Sequence, residues 1–165
     1  MVLKCGGERL KTEVEYIRTL RETENMAYSK IVDGLAVAGM TDSGHMVPMD
    51  TKKDVGGHES AAAPMDLVLQ ALIGCTHMDV ISILKKMRVE YEDFTVRESN
   101  ERAEDHPKVY TKIHVTYDFK GEGMDLEKVK KAVSLSLERY CPVHAMLKET
   151  VEMSHEIKIN DERID

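Results

Sequence analysis

Residues 61–87 read AAAPMDLVLQALIGCTHMDVISILKKM, a long and almost uninterrupted apolar run. Pro64 suits the first turn of a helix, because the N–H that proline lacks would have no partner there. Lys85 and Lys86 suit the negative end of the helix dipole. The run therefore predicts a helix from Pro64 to about Lys86. Because the run is apolar on nearly every face, we expect protein to surround this helix, in a core or at a subunit interface.

A membrane-spanning helix is the competing interpretation of this run. It would bury the carboxylates of Asp66 and Asp79 in lipid, which is energetically expensive. The segment from Met1 to Leu10 has no apolar stretch that is typical of a signal peptide. We therefore predict a core helix, no membrane partner and a cytoplasmic protein.

The composition is typical of a soluble globular protein. Of the 165 residues, 42% are hydrophobic and 32% are charged, which is enough for one domain with its own core. We predict a single domain over residues 1–165, in which residues 1–25 form an extension of uncertain role. The net charge of −7, with Lys and Arg scattered along the chain, argues against nucleic acid as a partner.

The remaining sequence predicts strands and two further helices. Asp125 can cap a helix from Leu126 to Tyr140, and a short helix follows from Pro142 to Lys148. On the clearest strand, Val109–Lys120, the odd-numbered residues from Val109 to Phe119 should share one face. The order of elements predicts the α+β class. The predicted strands span residues 13–20, 26–32, 35–40, 45–50, 94–102, 109–120 and 151–159.

Two of the three cysteines stand where a thiol could react. Cys75 lies in the long helix, and Cys141 directly precedes Pro142 at the start of the short helix, where the helix dipole should favour the thiolate. A lone buried cysteine is most often inert, so reactivity depends on the two sulfurs meeting. Asp66 and Asp79 place carboxylates in the same segment, and buried carboxylates need a basic partner or a polar pocket.

Two alternatives to a redox pair remain open. Cys75, His77, Cys141 and His144 form a Cys₂His₂ set for zinc, but residues two apart on a helix point in nearly opposite directions. A hydrolase could use Cys75 as its nucleophile with His144 or His45 as the base. No nucleophile-elbow motif accompanies it. We predict neither a metal nor a cofactor.

Three motifs together resemble the OsmC/Ohr family of thiol-dependent peroxidases, and its OsmC-like branch most closely. They are Pro64-Met65-Asp66-Leu67 at the helix start, Gly74-Cys75-Thr76 with Met78-Asp79-Val80, and Tyr140-Cys141-Pro142-Val143. The resemblance covers roughly Met26 to Ile159. It implies an obligate homodimer of intertwined subunits, in which antiparallel six-stranded sheets wrap around two long central helices.

The resemblance also implies roles for the two thiols. Cys75 corresponds to the peroxidatic cysteine, which attacks an organic hydroperoxide and becomes a sulfenic acid. Cys141 corresponds to the resolving cysteine, which condenses with it to a disulfide, and an external dithiol then reduces that disulfide. The implied function is a peroxidase in oxidative stress defence.

The sequence departs from the family pattern at two places. Family peroxidases carry a glutamate directly after the helix-opening proline; here Met65 stands there, and Asp66 is the candidate substitute. They also use an N-terminal arginine near the thiolate, for which Arg9, Arg18 and Arg21 are candidates by location. These departures favour a non-enzymatic small-molecule-binding or redox-sensing dimer, whereas the cysteine pair favours the enzyme.

Overall fold

A computed structural model of the chain describes residues 27–164. Cys5, the three candidate arginines and the strand predicted at residues 13–20 lie outside that range. The chain divides into two compact units with a boundary between Pro64 and Met65. The single-domain organisation stays a prediction, and each unit is described by itself.

The first unit is a three-stranded antiparallel sheet in the order β1-β2-β3, formed by β1 (Tyr28–Asp33), β2 (Ala36–Met40) and β3 (Met46–Met49). Gly34, between β1 and β2, has a φ of 55°, and Gly44, between β2 and β3, has a φ of 81°. Glycine adopts this left-handed conformation without steric cost. All three strands predicted here are confirmed, with ends that differ by at most two residues.

A buried aspartate orders the loop that follows β3. The side chain of Asp50 accepts hydrogen bonds from the backbone N–H groups of Thr51, His58 and Ser60 and from the Ser60 hydroxyl. These bonds, those from Ser60 foremost, hold the pKa of the carboxyl well below its usual range. One carboxylate therefore fixes the loop between β3 and the following helix.

The second unit contains helices and a four-stranded sheet in the order β4-β5-β6-β7. The α+β class is confirmed. β5 and β6 pair in parallel, unlike the antiparallel sheet that the resemblance implies, because a helical crossover joins them. The elements are α1 (Pro64–Met87), β4 (Asp93–Arg102), β5 (Tyr110–Lys120), α2 (Leu126–Leu135), a π-helical turn (Ser136–Tyr140), α3 (Pro142–Leu147), β6 (Glu152–Ile159) and β7 (Glu162–Arg163).

A β-bulge changes which face of β5 is buried at its start. Glu101 pairs with Lys112 and Arg102 pairs with Tyr110, so Thr111 is left without a partner opposite it. Tyr110 consequently points into the core, while Val109 is 50% exposed. The predicted alternation is therefore wrong for Val109 and Thr111. It is correct from Ile113 to Phe119, where the odd-numbered side chains are buried.

Helix α1 is buried along one stripe. Leu69, Leu72, Thr76, Val80 and Ile83 recur at helical spacing and are buried in the core of the unit. Other apolar side chains of the helix are not covered: Met78 is 68% exposed and Ile81 is 38% exposed. We expected protein to surround this helix. Within one protomer, the core covers only one side of it.

By length and hydropathy α1 would also be able to cross a membrane, with one third of its most apolar window buried. That test is passed equally by core helices of soluble proteins. The buried stripe that packs against the sheet identifies α1 as such a core helix.

Truncation of the buried stripe should destabilise the protein strongly. Leu72 is fully buried, so Leu72→Ala should lower the free energy of unfolding by about 2–5 kcal/mol through lost apolar contact and a residual cavity. Leu126→Ala, at a helical leucine that is 45% exposed, is the matched control and should cost less than about 1 kcal/mol. Urea unfolding at one protein concentration measures both. Equal losses would contradict the assigned core.

Candidate functional site

The two cysteines singled out by the sequence meet in the second unit. The Sγ atoms of Cys75 and Cys141 and a carboxylate oxygen of Asp79 all lie within 4.8 Å of one another. Cys75 and Asp79 are four residues apart on α1 and therefore share one helix face. Cys141 is buried at the N-cap of α3. Residues 66 positions apart in the chain thus form one cluster of two thiols and a carboxylate.

The π-helical turn positions Cys141 in this cluster. The N–H of Cys141 donates to the carbonyl of Ser136, five residues earlier, at 2.8 Å. Residues five apart in an α-helix point about 140° away from each other, whereas a five-residue hydrogen-bonded turn brings them near one face. The wider turn therefore lets Ser136 and Cys141 approach α1 together, where continued α-helix would separate them.

Buried hydroxyl groups connect Asp79 to the sheet. The Ser136 hydroxyl donates to Asp79 Oδ2 at 3.1 Å and lies 2.9 Å from Thr76 Oγ1, which lies 2.8 Å from the hydroxyl of Tyr117 on β5. Each hydroxyl has one proton to donate. With Asp79 ionised, Tyr117 therefore donates to Thr76, Thr76 to Ser136, and Ser136 to the carboxylate.

This hydroxyl chain, defined as Tyr117, Thr76 and Ser136, is the polar pocket expected for the carboxylates of α1. Thr76 and Ser136 are fully buried, and so is Tyr117. Burial raises the pKa of Tyr117 well above its usual value, so Tyr117 keeps its proton. In residues 27–164, no basic side chain forms an ion pair with Asp79. Of the two partners expected for a carboxylate of α1, a basic side chain or a polar pocket, Asp79 therefore has the polar pocket in this part of the chain.

The α3 terminus favours the Cys141 thiolate as expected, but burial outweighs its effect on the pKa. The N–H of His144 does donate to Cys141 Sγ, at 3.3 Å. Burial opposes this bond and raises the pKa of Cys141 to about 11, and the nearby Cys75 and Asp79 raise it further by their charge and, for Cys75, by hydrogen bonding. Cys141 is therefore a protonated thiol at neutral pH.

The histidines of the two alternative sites do not join the cluster. His144 Nδ1 lies 2.9 Å from the carbonyl of Leu137, and burial lowers the pKa of its imidazole. The His77 ring packs edge-on against Phe94, with centroids 4.5 Å apart. His45 belongs to the first unit, where its Nδ1 lies 3.0 Å from the Ser43 hydroxyl. The Cys₂His₂ zinc set, weighed as an alternative to the redox pair, is not assembled in one protomer.

A metal would have to use Cys75, Asp79 and Cys141, the group that the described part of the chain brings close enough for one ion. Three donors are one short of a closed tetrahedral structural site. Their surroundings fit thiol chemistry without a metal, because Ser136 and His144 already supply hydrogen bonds to Asp79 and Cys141.

Asp66 lies away from the thiols of its own chain. It is exposed in the first turn of α1, nine residues before Cys75, which corresponds to about 13 Å along a helix axis and to the opposite face. Its charge contributes to the raised pKa of Tyr110, after the larger effect of burial. Asp66 as a substitute for the family glutamate stays a prediction, and it requires the thiols of another protomer.

The hydroxyl chain was not predicted from the sequence. Ser136 fell in the apolar stripe of the predicted helix, and Thr76 stood beside Cys75 in an apolar run. The available signal was that Thr76 and Ser136 are polar residues at positions where helical periodicity predicts burial. Buried polar side chains need hydrogen-bond partners, and these two residues could supply partners to each other.

Comparison with known proteins identifies the family. A profile described as OsmC-like protein matches residues 57–156, a range that contains both cysteines and Asp79. The chain belongs to the OsmC-like protein family. Protein YhfA of Escherichia coli (strain K12) is 36% identical over 130 residues, which cover 79% of this chain and 94% of YhfA.

Solved structures agree with this family. A hypothetical protein from Aquifex aeolicus VF5 has a TM-score of 0.68 and 29% identity, covering 82% of this chain and 97% of that one. An organic hydroperoxide resistance protein OsmC from Legionella pneumophila has a TM-score of 0.61 over 81% of this chain and 96% of its own. Its 14% identity supports the shared fold alone.

The raised pKa of Cys141 predicts a specific loss of stability in alkali. Between the ordinary thiol pKa of 9.0 and about 11, the folded chain keeps a proton that the unfolded chain has released. This contribution is present below about pH 9 and is lost as the pH rises to 11. The reduced wild type should therefore lose stability more steeply than Cys141→Ser, by at most about 1.4 kcal/mol per pH unit. Urea unfolding between pH 8 and 11 with a thiol reductant measures this; parallel slopes would contradict it.

Proposed function

We propose that this protein is a cytoplasmic, homodimeric thiol peroxidase that reduces organic hydroperoxides in oxidative stress defence. The observation that supports it most directly is the approach of the Cys75 and Cys141 sulfurs to within 4.8 Å in a cluster that is partly open at Cys75. Membership of the OsmC-like family is consistent with a peroxide-related redox role.

The proposed first step takes place on Cys75. Its thiolate attacks the outer oxygen of the hydroperoxide, the O–O bond breaks, and the alkoxide takes a proton and leaves as an alcohol. Cys75 becomes a sulfenic acid. Cys75 is partly exposed whereas Cys141 is buried and protonated, so the more accessible sulfur meets the substrate.

The second step forms a disulfide. The Cys141 sulfur attacks the Cys75 sulfenic acid, the S–O bond breaks, and water leaves. The two sulfurs lie within 4.8 Å of each other, whereas an S–S bond is about 2.05 Å long. The sulfurs therefore have to move closer before the bond can form. Side-chain rotation, helped by the extended backbone of Cys141 between two helical segments, is the motion required. An external dithiol then restores both thiols by exchange.

The proposed homodimer covers the open side of α1. Dimers are typical of the OsmC/Ohr family. The exposed Met78 and Ile81 are one to six residues from Cys75 and Asp79 on the same helix, so a second copy would cover this apolar side next to the cluster. The same arrangement is what Asp66 requires in order to meet the thiols of another protomer.

A peroxidase assay with cysteine variants tests the function. Wild type should consume cumene hydroperoxide in the presence of dithiothreitol, and Cys75→Ser should lose at least 99% of that turnover because the reacting sulfur is gone. Cys141→Ser should still react once, with a sulfenic acid on Cys75 that dimedone labels and mass spectrometry locates.

Cys5→Ser is the control for removal of a thiol other than the proposed pair and should keep wild-type turnover. Near-background rates in wild type and all three variants would contradict the peroxidase. That result would favour the small-molecule-binding or redox-sensing dimer. The same alternative is favoured by the lack of an ion pair between Asp79 and a basic side chain in residues 27–164.

A charge on the open side of α1 should disrupt the proposed dimer. Met78→Glu places a carboxylate at a side chain that is 68% exposed in one protomer and would be buried in the dimer, where an unpaired charge is costly. We expect at least a tenfold increase in the dimer dissociation constant, measured by sedimentation.

Met146→Glu on α3 is the control, because Met146 is an equally exposed methionine at 67%. It should leave the dissociation constant near the wild-type value. A monomeric wild type, or equal effects of the two substitutions, would disprove this interface.

A further inference from the structure

We propose that Asp79 is the general base and acid of disulfide formation between Cys75 and Cys141, and that the hydroxyl chain holds its carboxylate at the thiols. This inference rests on the proposed function, because it assigns a residue to the second step of that reaction. Neither the composition nor the family motif quoted from the sequence gives Asp79 this role.

Geometry is the first argument. A carboxylate oxygen of Asp79 lies within 4.8 Å of both sulfurs, so the acid faces the nucleophile and the sulfur that it attacks. Asp79 is fixed from two directions: its backbone belongs to the middle of α1, and its Oδ2 accepts the Ser136 hydroxyl. A positioned group within reach of the transferred proton is the first requirement for a general base.

Chemical need is the second argument. Cys141 keeps its proton at neutral pH, and a protonated thiol is a poor nucleophile. In residues 27–164, the titratable groups that interact with Asp79 are Cys75 on its own helix, Cys141 after the π-helical turn and Tyr117 on β5. Tyr117 holds its proton firmly, and Cys75 is the electrophile at this stage. Asp79 is therefore the acceptor that remains for the Cys141 proton.

The hydroxyl chain suits a carboxylate that changes its protonation state. When Asp79 is ionised, the chain donates toward Oδ2, from Tyr117 through Thr76 and Ser136. When Asp79 is protonated, it can donate to the Ser136 hydroxyl, and Ser136 and Thr76 can rotate and donate toward Tyr117, because hydroxyl groups both donate and accept. The hydrogen bond between Asp79 and Ser136 can therefore form in either protonation state of the carboxyl.

The step balances as follows. The Cys141 S–H proton passes to the Asp79 carboxylate while the Cys141 sulfur forms a bond to the Cys75 sulfur. The S–O bond of the sulfenic acid breaks, its electron pair leaves with the hydroxyl group, and protonated Asp79 returns the proton to form water. The two sulfurs end as a disulfide, the hydroperoxide of the first step is the oxidant, and Asp79 ends as it began.

Asp79→Asn separates this role from an electrostatic one, because the two predict opposite signs. The Asp79 charge raises the pKa of Cys141, so its removal should by itself make the thiolate easier to form and speed the step. Loss of a general base should instead slow the step, typically by 10²–10⁴-fold. We expect disulfide formation in Asp79→Asn to be slower by at least tenfold, while labelling of the Cys75 sulfenic acid is undiminished.

The experiment adds one equivalent of cumene hydroperoxide to the reduced full-length protein, with EDTA present to exclude metal effects. Rapid quenching with dimedone follows the sulfenic acid, and non-reducing mass spectrometry follows the disulfide, between pH 5 and 9. Wild type should form the disulfide in the lower part of this pH range, a low-pH limb that Asp79→Asn should lack. Without the carboxylate the step needs the Cys141 thiolate, so its rate should rise only toward alkaline pH.

Two further variants separate proton transfer by Asp79 from the positioning of its carboxylate. Ser136→Ala removes the donor to Oδ2 but keeps the carboxylate, so it should retain more of the rate than Asp79→Asn and keep the low-pH limb. Asp105→Asn removes an exposed carboxylate far along the chain and should behave as wild type.

The outcomes are distinct. Sulfenic acid in wild type with an equal or faster disulfide step in Asp79→Asn would overturn the role of Asp79 and leave the peroxidase standing. Equal slowing in Ser136→Ala and Asp79→Asn, with the same pH profile, would reduce Asp79 to a structural partner and would also overturn it. Absence of sulfenic acid in wild type would overturn the proposed function and this inference together.

Discussion

The hydrogen bonds among Tyr117, Thr76, Ser136 and Asp79 are the constraint on which the rest of the site depends. They join a strand, the long helix and the π-helical turn, three elements far apart in sequence, at one buried point. A buried hydroxyl or carboxylate without a partner costs free energy, so none of these elements can shift without a penalty at the others. Because Cys75 precedes Thr76 and Cys141 ends the turn that Ser136 begins, the same bonds fix the separation of the sulfurs.

The environment of the thiols is a competition between burial and hydrogen bonding, and burial prevails at Cys141. One backbone N–H, from a helix of only six residues, does not compensate for the loss of water around a thiolate beside another sulfur and a carboxylate. This asymmetry is consistent with the two roles proposed for the pair, because a buried, protonated Cys141 would not compete with Cys75 for the proposed hydroperoxide. A protonated Cys141 also needs a base to remove its proton before its sulfur can attack, and the proposed base, Asp79, lies within 4.8 Å of that sulfur.

The parts of the fold that depend on local periodicity were predictable from the sequence, and those that depend on pairing were not. The apolar run and Pro64 predict α1 to within a residue, and the sequence predicts six of the seven strands in residues 27–164, all except the two-residue β7. The bulge at Thr111 was missed because a strand with one extra residue reads as continuous alternation until its partner is known. The π-helical turn was missed for a similar reason, since Leu126–Tyr140 carries an apolar stripe that an uninterrupted α-helix also satisfies.

The cysteines were predictable as a pair only through the family motifs, because spacing along the chain says nothing about whether α1 and α3 meet. The resemblance also predicted that the acidic group of the site lies near Met65, where family peroxidases carry a glutamate, with Asp66 as its substitute. In this protomer the acid at the thiols is Asp79, one helical turn after Cys75, whereas Asp66 lies on the opposite face of α1. An acid one turn from a cysteine on a buried helix stays beside that sulfur whatever the neighbouring subunit does. A carboxylate at the start of α1, such as Asp66, lies about 13 Å along the helix axis from Cys75 of its own chain. The acidic group that one protomer brings to its own thiols is therefore Asp79.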